Sequence, residues 1–212
     1  MHKLEPQNGN SGLHRNFHGH RDVGGVVTAS ATISVVIGAG DEAPALRKVL
    51  DALASQDLKP IEIVVVDNAA SDDTKAVAQH QGAKIVEIPN GDFTYGKALN
   101  AGIRQTSGEF VCILSAYSLP IGPEFLRNAL APFADPTIAA VRLLSLTNRT
   151  ALENWAKRSI LEGPVEIETV ISSAPLNAAA MIRRVLWEQI PYDETLTNLE
   201  DKFWALAMLL HF

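Results

Sequence analysis

The sequence predicts an α/β fold, a mostly parallel sheet flanked by helices on both faces. Two observations carry this. Short apolar runs of strand length recur along the chain, and segments with helical spacing separate them. Strand–helix alternation of this kind places successive parallel strands in one sheet, with the crossover helices packed on its faces.

Order begins near Thr32. Residues 33–37 (Ile-Ser-Val-Val-Ile) are a short apolar run, the mark of a strand buried on both faces. Leu46, Val49, Leu50 and Leu53 fall at i, i+3, i+4 and i+7, one helical stripe, and Pro44 suits the first turn of that helix. Residues 61–66 form a second buried strand. Ser71 is the expected N-cap of a short helix that Gly82 closes. Residues 84–88 read as a third strand, 97–106 as a helix closed by Gly108, and 109–114 as a fourth strand. Pro123 starts another helix, and 138–144 is a fifth strand. Thr150-x-x-Glu153 is a capping box for the helix carrying Trp155. Residues 163–175 read either as a strand or as a loop, 178–182 as a further strand, and 198–210 as a final helix.

Residues 1–30 stand apart. They are rich in Gly, Asn and His and poor in large apolar side chains, so they are expected to form a disordered leader ahead of one domain over 31–212. His14, His18 and His20 are read as part of a solvated tail rather than as a metal site. The 212 residues carry 18 Lys plus Arg against 24 Asp plus Glu, a net charge of −6, which argues against a nucleic-acid partner. The single cysteine, Cys112, excludes a disulfide framework. No stretch reaches the roughly 20 apolar residues that span a bilayer, and no signal peptide is visible. The expected location is cytoplasmic, with peripheral attachment to the inner face of a membrane left open.

Ligands of open α/β sheets bind beyond the carboxyl ends of the strands, so the residues there are the ones to read. After the first strand comes Gly38-Ala39-Gly40-Asp41-Glu42, and after the second Asp67-Asn68. Gly38-x-Gly40-x-x-Ala43 followed by Asp67 imitates a dinucleotide fingerprint. Charge weighs against an NAD-binding oxidoreductase: Asp41 and Glu42 would sit beside the pyrophosphate, and Pro44 removes an N–H from the helix's first turn.

Five pieces in order carry a resemblance. They are the opening strand and turn at 33–42; Val64-Val65-Val66-Asp67-Asn68-Ala69-Ala70-Ser71-Asp72-Asp73-Thr74; Phe93-Thr94-Tyr95-Gly96-Lys97-Ala98-Leu99-Asn100-Ala101-Gly102-Ile103; the strand at 108–114; and Tyr192-Asp193-Glu194 with Glu200-Asp201-Lys202-Phe203-Trp204. Residues 32 to about 208 thus resemble the family 2 glycosyltransferases, which have the GT-A (Rossmann-like) fold. The resemblance implies an inverting transfer of a sugar from a nucleotide-diphosphate sugar to the hydroxyl of a glycan or lipid-linked acceptor, in cell-envelope polysaccharide biosynthesis.

The resemblance also implies site residues. Gly38, Glu42, Asp67 and Asn68 line the nucleotide end, Lys97 faces the diphosphate, and Asn100 bonds the donor or ties the loop. Asp201 takes the general-base position, Glu200 orients or caps, and Asn177 and Arg183 fall on the acceptor side. Ser115 and Tyr117 stand where the family has its metal-binding Asp-x-Asp. Ser115-Ala116-Tyr117 holds no carboxylate, whereas Mg²⁺ and Mn²⁺ favour anionic oxygen ligands. The expectation is therefore weak or absent metal dependence, with Lys97 or another cation taking part of the neutralising role. Residues 203–212 are apolar apart from His211, whereas the family's domain normally continues past this helix. That suggests a C-terminally short form and leaves self-association open. The competing reading from another class is a catalytically silent GT-A module that binds nucleotide.

Overall fold

The computed structural model describes residues 31–71, 73–89, 91–143 and 178–212. The leader with its histidines, Asp72, the end of the fifth expected strand beyond 143, the Thr150 capping box, Trp155, the 163–175 segment and Asn177 lie outside the described residues.

Among the described residues the order is β1 (Ile33–Ala39), α1 (Ala43–Ala54), β2 (Glu62–Asp67), α2 (Thr74–His80), β3 (Lys84–Glu87), α3 (Tyr95–Arg104), β4 (Phe110–Ser115), α4 (Phe125–Leu130), a 3-10 turn (Ala131–Ala134), β5 (Ala140–Arg142), β6 (Ala179–Arg183), α5 (Arg184–Gln189) and α6 (Glu200–His211). The six strands form one sheet in the order β3-β2-β1-β4-β6-β5. The first four are mutually parallel, β6 runs antiparallel to β4, and β5 antiparallel to β6.

Each strand face has its own core. On one side Ile33, Val35 and Ile37 of β1 pack with Leu46, Leu50 and Leu53 of α1, and α2 and α4 complete that layer. On the other side Val36, Val64 and Val66 meet Leu99 and Ile103 of α3, then Trp187 of α5 and Trp204 of α6. Full burial of such side chains stabilises by about 1.5–3 kcal/mol each, which is why the apolar runs must be central strands.

Several ends differ from expectation. Helix α2 opens at Thr74 rather than at Ser71, because the Ser71 N–H and hydroxyl are both donated to Asp41 Oδ1 at 2.6 and 3.1 Å. Helix α3 starts two residues early: Thr94 Oγ1 accepts the Lys97 N–H at 3.1 Å and is the cap. Leu199 takes a left-handed φ of 65°, so α6 begins at Glu200 rather than at 198. Helix α5 was not anticipated, and no side chain caps it.

Candidate functional site

The carboxyl edge of the parallel strands meets the first turn of α6 across a cavity of about 650 Å³. Gly38 pairs with Ser115, and its neighbour Ala39 pairs with Asp67, so the ends of β1, β2 and β4 lie side by side. Beyond them the Asn68 N–H bonds the Ala39 carbonyl at 2.9 Å and the Ala116 N–H bonds the Gly38 carbonyl at 3.0 Å. Asp67 and Ser115 therefore end strands on either side of β1 at the same edge of the sheet.

Gly38, Glu42, Asn68, Ser115 and Tyr117 line the cavity on the sheet side, and Glu200 and Asp201 line it from α6. Asp67 does not line it. Its side chain is 1% exposed, with Oδ1 accepting the Ala70 N–H at 3.0 Å and Oδ2 lying 3.5 Å from the Lys75 ammonium. The turn it holds has Ala69 at φ 50°, and Asn68 is the member of the pair that faces the cavity.

The loop after β1 is stitched to α2. Thr74 Oγ1 donates to the Gly40 carbonyl at 2.8 Å and accepts the Glu42 N–H at 3.3 Å. The Gly40 N–H is donated to the Glu42 carboxylate. A dinucleotide pyrophosphate needs such N–H groups, and here one is already bonded to an acid, in agreement with setting the NAD reading aside.

Three sequence-derived site residues besides Asp67 are placed outside the cavity lining. Lys97 does not line the cavity; its ammonium pairs with Asp92. Asn100 is 1% exposed and satisfied within the protein: Nδ2 donates to the Tyr192 carbonyl and to Glu194 Oε1, and Oδ1 accepts from Trp187 Nε1 and from the Tyr192 N–H. It therefore ties the loop rather than facing the donor. Arg183 corrects the acceptor-side expectation. Because β6 is antiparallel, its last residue pairs with Phe110 at the start of β4, the sheet edge opposite the cavity. There the guanidinium lies against the Phe110 and Phe133 rings, 5.4 and 5.2 Å from their centroids, and donates to the carbonyls of Ile138, Phe133 and Asp135. Burial lowers its pKa, with Glu109 and Asp135 acting in the opposite sense. The same reversal brings Ala178, just before β6, to the cavity.

Other cavity residues were not singled out from sequence. Phe93 and Tyr95 meet edge to face at 5.1 Å on one wall, and Lys202 stands beside the acidic pair on α6. Their positions were readable: the aromatics follow β3 at the carboxyl edge, and Lys202 directly follows Glu200-Asp201.

Helix α6 is held from below. Trp204 Nε1 donates to the Ile190 carbonyl at 2.7 Å, and the Tyr192 and Trp204 rings are 5.6 Å apart. Burial pushes the Tyr192 phenol well above its ordinary pKa, and the charges of Asp201 and Glu200 push it further, so the phenol keeps its proton. Asp201 Oδ1 accepts the Lys202 N–H at 2.7 Å.

The end of β4 does not fit a divalent cation. Ser115 Oγ is shared with Ser118 Oγ at 2.9 Å, Tyr117 is 72% exposed, and the described residues contain no group of three or more His, Cys, Asp or Glu placed to hold a metal ion. Mg²⁺ and Mn²⁺ take hard, preferably anionic oxygen ligands, which this segment does not supply.

The family described as Glycosyl transferase family 2 matches residues 34–188. The O-antigen chain rhamnosyltransferase RfbN of Salmonella typhimurium is 27% identical over 177 residues, covering 76% of this chain and 55% of that protein. A Campylobacter jejuni GalNAc(5)-diNAcBac-PP-undecaprenol beta-1,3-glucosyltransferase is 34% identical over 87 residues, covering 39% of this chain and 28% of that protein. The chain thus spans about half the length of RfbN, and less of the glucosyltransferase. Among solved structures, the Pyrobaculum calidifontis mannosyltransferase PcManGT, in complex with GDP-Man and Mn²⁺, superposes with a TM-score of 0.66 at 24% identity, over 83% of this chain and 51% of that one. Glucosyl-3-phosphoglycerate synthase of Mycobacterium tuberculosis, bound to UDP, gives 0.61 at 21% identity, over 86% and 65%. These likenesses show the GT-A fold.

Proposed function

The chain belongs to glycosyl transferase family 2, and on that premise we propose that it moves a sugar from a nucleotide-diphosphate sugar to an acceptor hydroxyl with inversion at the anomeric carbon. The observation that carries the reading is one cavity bounded by Gly38, Asn68 and Ser115 on the sheet edge and by Asp201 on the facing helix. In this reading the nucleoside lies against the ends of β1 and β2, where the Asn68 amide can pair with polar atoms of the base or ribose. The sugar points toward α6. The acceptor oxygen attacks the anomeric carbon, the bond from that carbon to the diphosphate oxygen breaks, and the acceptor's proton passes to the Asp201 carboxylate as general base.

The named relatives support a glycan or lipid-linked acceptor of the cell envelope: one is an O-antigen chain rhamnosyltransferase, the other a GalNAc(5)-diNAcBac-PP-undecaprenol beta-1,3-glucosyltransferase. No helix among the described residues is long and apolar enough to cross a membrane, and peripheral attachment to the inner face of the membrane belongs to the same proposal. The test is incubation of the purified chain with radiolabelled GDP-, UDP- and dTDP-sugars, alone and with lipid-linked glycan acceptors. Release or transfer of label from one donor is expected.

A second reading, a GT-A module that binds nucleotide without transfer, draws on Ser115-Ala116-Tyr117. Nucleotide binding with neither hydrolysis nor transfer would favour it.

A further inference from the structure

We propose that Ser115, held by Ser118, is an acceptor-only contact for the donor: its Oγ takes a hydrogen bond from a hydroxyl of the sugar nucleotide and has no proton to give a phosphate oxygen. The inference rests on the donor-site reading above. Strand pleat places the side chain. Ile113 of β4 pairs with Val36 of β1, and both are buried in the core shared with α3 and α6. Two residues on, Ser115 pairs with Gly38, so its side chain leaves the sheet on that same face, at the cavity wall. Gly38 pairs on its other side with Val66, which belongs to the same core. A Cβ on Gly38 would meet no atom of the described residues within 4 Å. The row Val66, Gly38, Ser115 thus has open space at its centre, and a ligand can come down to the Gly38 backbone beside the Ser115 hydroxyl.

Hydroxyl protons decide what Ser115 can offer there. Ser118 Oγ carries one proton and donates it to the Ala178 carbonyl, which can only accept. In the 2.9 Å contact between the Ser115 and Ser118 hydroxyls the donor is therefore Ser115. Its proton is spent on Ser118, and lone pairs alone are left for the cavity. Backbone bonds hold this arrangement. The Ser115 N–H is donated to the same Ala178 carbonyl at 2.9 Å, and the Ser118 N–H to the Ser115 carbonyl at 2.9 Å. A diphosphate oxygen is itself an acceptor at neutral pH, so it has no hydrogen bond to make with these lone pairs. A sugar hydroxyl brings the proton that completes one. The ribose of the nucleoside and the transferred sugar both carry such hydroxyls.

The test is calorimetric binding of UDP, GDP and dTDP, and of UDP-glucose, GDP-mannose and dTDP-glucose, to the wild type and to Ser115→Ala, with Mn²⁺ present throughout. The ligand that binds best is then measured in forms with single hydroxyls of its pentose or hexose replaced by hydrogen and by fluorine. Ser115→Ala should weaken the unmodified ligand about threefold to tenfold, the worth of one neutral hydrogen bond. One ligand hydroxyl should account for that loss. Replacing it by hydrogen, or by fluorine, which has no proton to donate, should cost the wild type the same factor and cost Ser115→Ala nothing further. A hexose hydroxyl behaving in this way makes the transferred sugar the source, and a pentose hydroxyl makes it the nucleoside. A cooperative thermal transition shows that the alanine variant is folded; if it is not, Ser115→Cys, close in size and a weak acceptor, takes its place. Unchanged affinity in the variant overturns the role of Ser115. So does a fluorinated ligand that keeps full affinity for the wild type, which would make Ser115 the donor. A loss in Ser115→Ala that persists with every modified form would set Ser115 against the phosphates and also overturns it. These outcomes leave the donor site standing. A wild type that binds none of the six nucleotides overturns the donor-site reading itself, and this inference with it.

Discussion

The side-chain amide of Asn100 pairs with the backbone of Tyr192 as a neighbouring strand would: Nδ2 donates to the Tyr192 carbonyl at 2.8 Å, and Oδ1 accepts the Tyr192 N–H at 3.1 Å. The same amide also takes the Trp187 indole N–H at 2.8 Å and reaches Glu194 at 2.9 Å. One buried residue of α3 thereby fixes the segment that leads into α6. Gly96, one turn earlier, makes room for that segment, since a Cβ there would lie 2.4 Å from the Asp193 carbonyl oxygen.

Asn100→Ala is expected to destabilise the fold by about 2–4 kcal/mol, because it strands the Trp187 N–H and both Tyr192 backbone groups away from water. Urea denaturation measures this. Asn100→Asp should be no milder, since it sets an oxygen against the Tyr192 carbonyl and the Glu194 carboxylate. Wild-type stability in the alanine variant would mean that the segment holds its place without the amide.

Glu62 predicts an acid-side dependence. Burial by itself would raise its pKa, but hydrogen bonds from Lys84, Ser107 and Ser34 outweigh burial and lower it from 4.5 to about 2. A depressed carboxyl stabilises the folded state fully above its unfolded pKa, and that contribution disappears as pH falls through the folded value. Stability referable to Glu62 should therefore drain away between about pH 4.5 and 2. Denaturation midpoints for Glu62→Gln across that window should fall less steeply than the wild type's. Parallel curves would remove Glu62 as a source of acid sensitivity.

Arg183 is expected to matter for folding and not for the acceptor. Its planar guanidinium donates to three carbonyls while packing against two aromatic rings, an arrangement that a lysine cannot reproduce. Arg183→Lys should lower the melting temperature while leaving the KM for acceptor within about twofold, less than the tenfold that 1.4 kcal/mol would produce. A large rise in acceptor KM with unchanged stability would return Arg183 to the acceptor side.

How far each of these residues could be read from sequence depends on strand direction. The runs at 33–37 and 61–66 announce central strands because burial on both faces requires uninterrupted apolar side chains, and the residues just after parallel strands then fall at one edge. Gly38, Asn68 and Ser115 were legible for that reason. The segment at 178–182 is equally apolar whichever way it runs, so nothing in it told that Arg183 would leave the site and Ala178 would enter it. Asn100 carried a second ambiguity. A polar residue in a helix beside a binding edge can face ligand or core, and only the packing of residues 190–194 against α3 decides for the core.

Asp201 provides the sharpest test of catalysis. It lines the cavity from the first turn of α6, where the helix dipole alone would favour an acid, so its position fits both a capping role and a base. The two roles separate in kinetics. Asp201→Asn keeps the shape of the side chain and an oxygen able to accept the Lys202 N–H, and removes the capacity to take a proton. As general base, Asp201 should cost about 10²-fold or more in transfer rate when amidated, with nucleoside diphosphate affinity retained and the melting temperature close to that of the wild type. Single-turnover transfer measured beside calorimetric nucleotide binding distinguishes the cases. Near-normal turnover in the asparagine variant would reduce Asp201 to a residue that starts a helix and would send the search for the base to its neighbour Glu200.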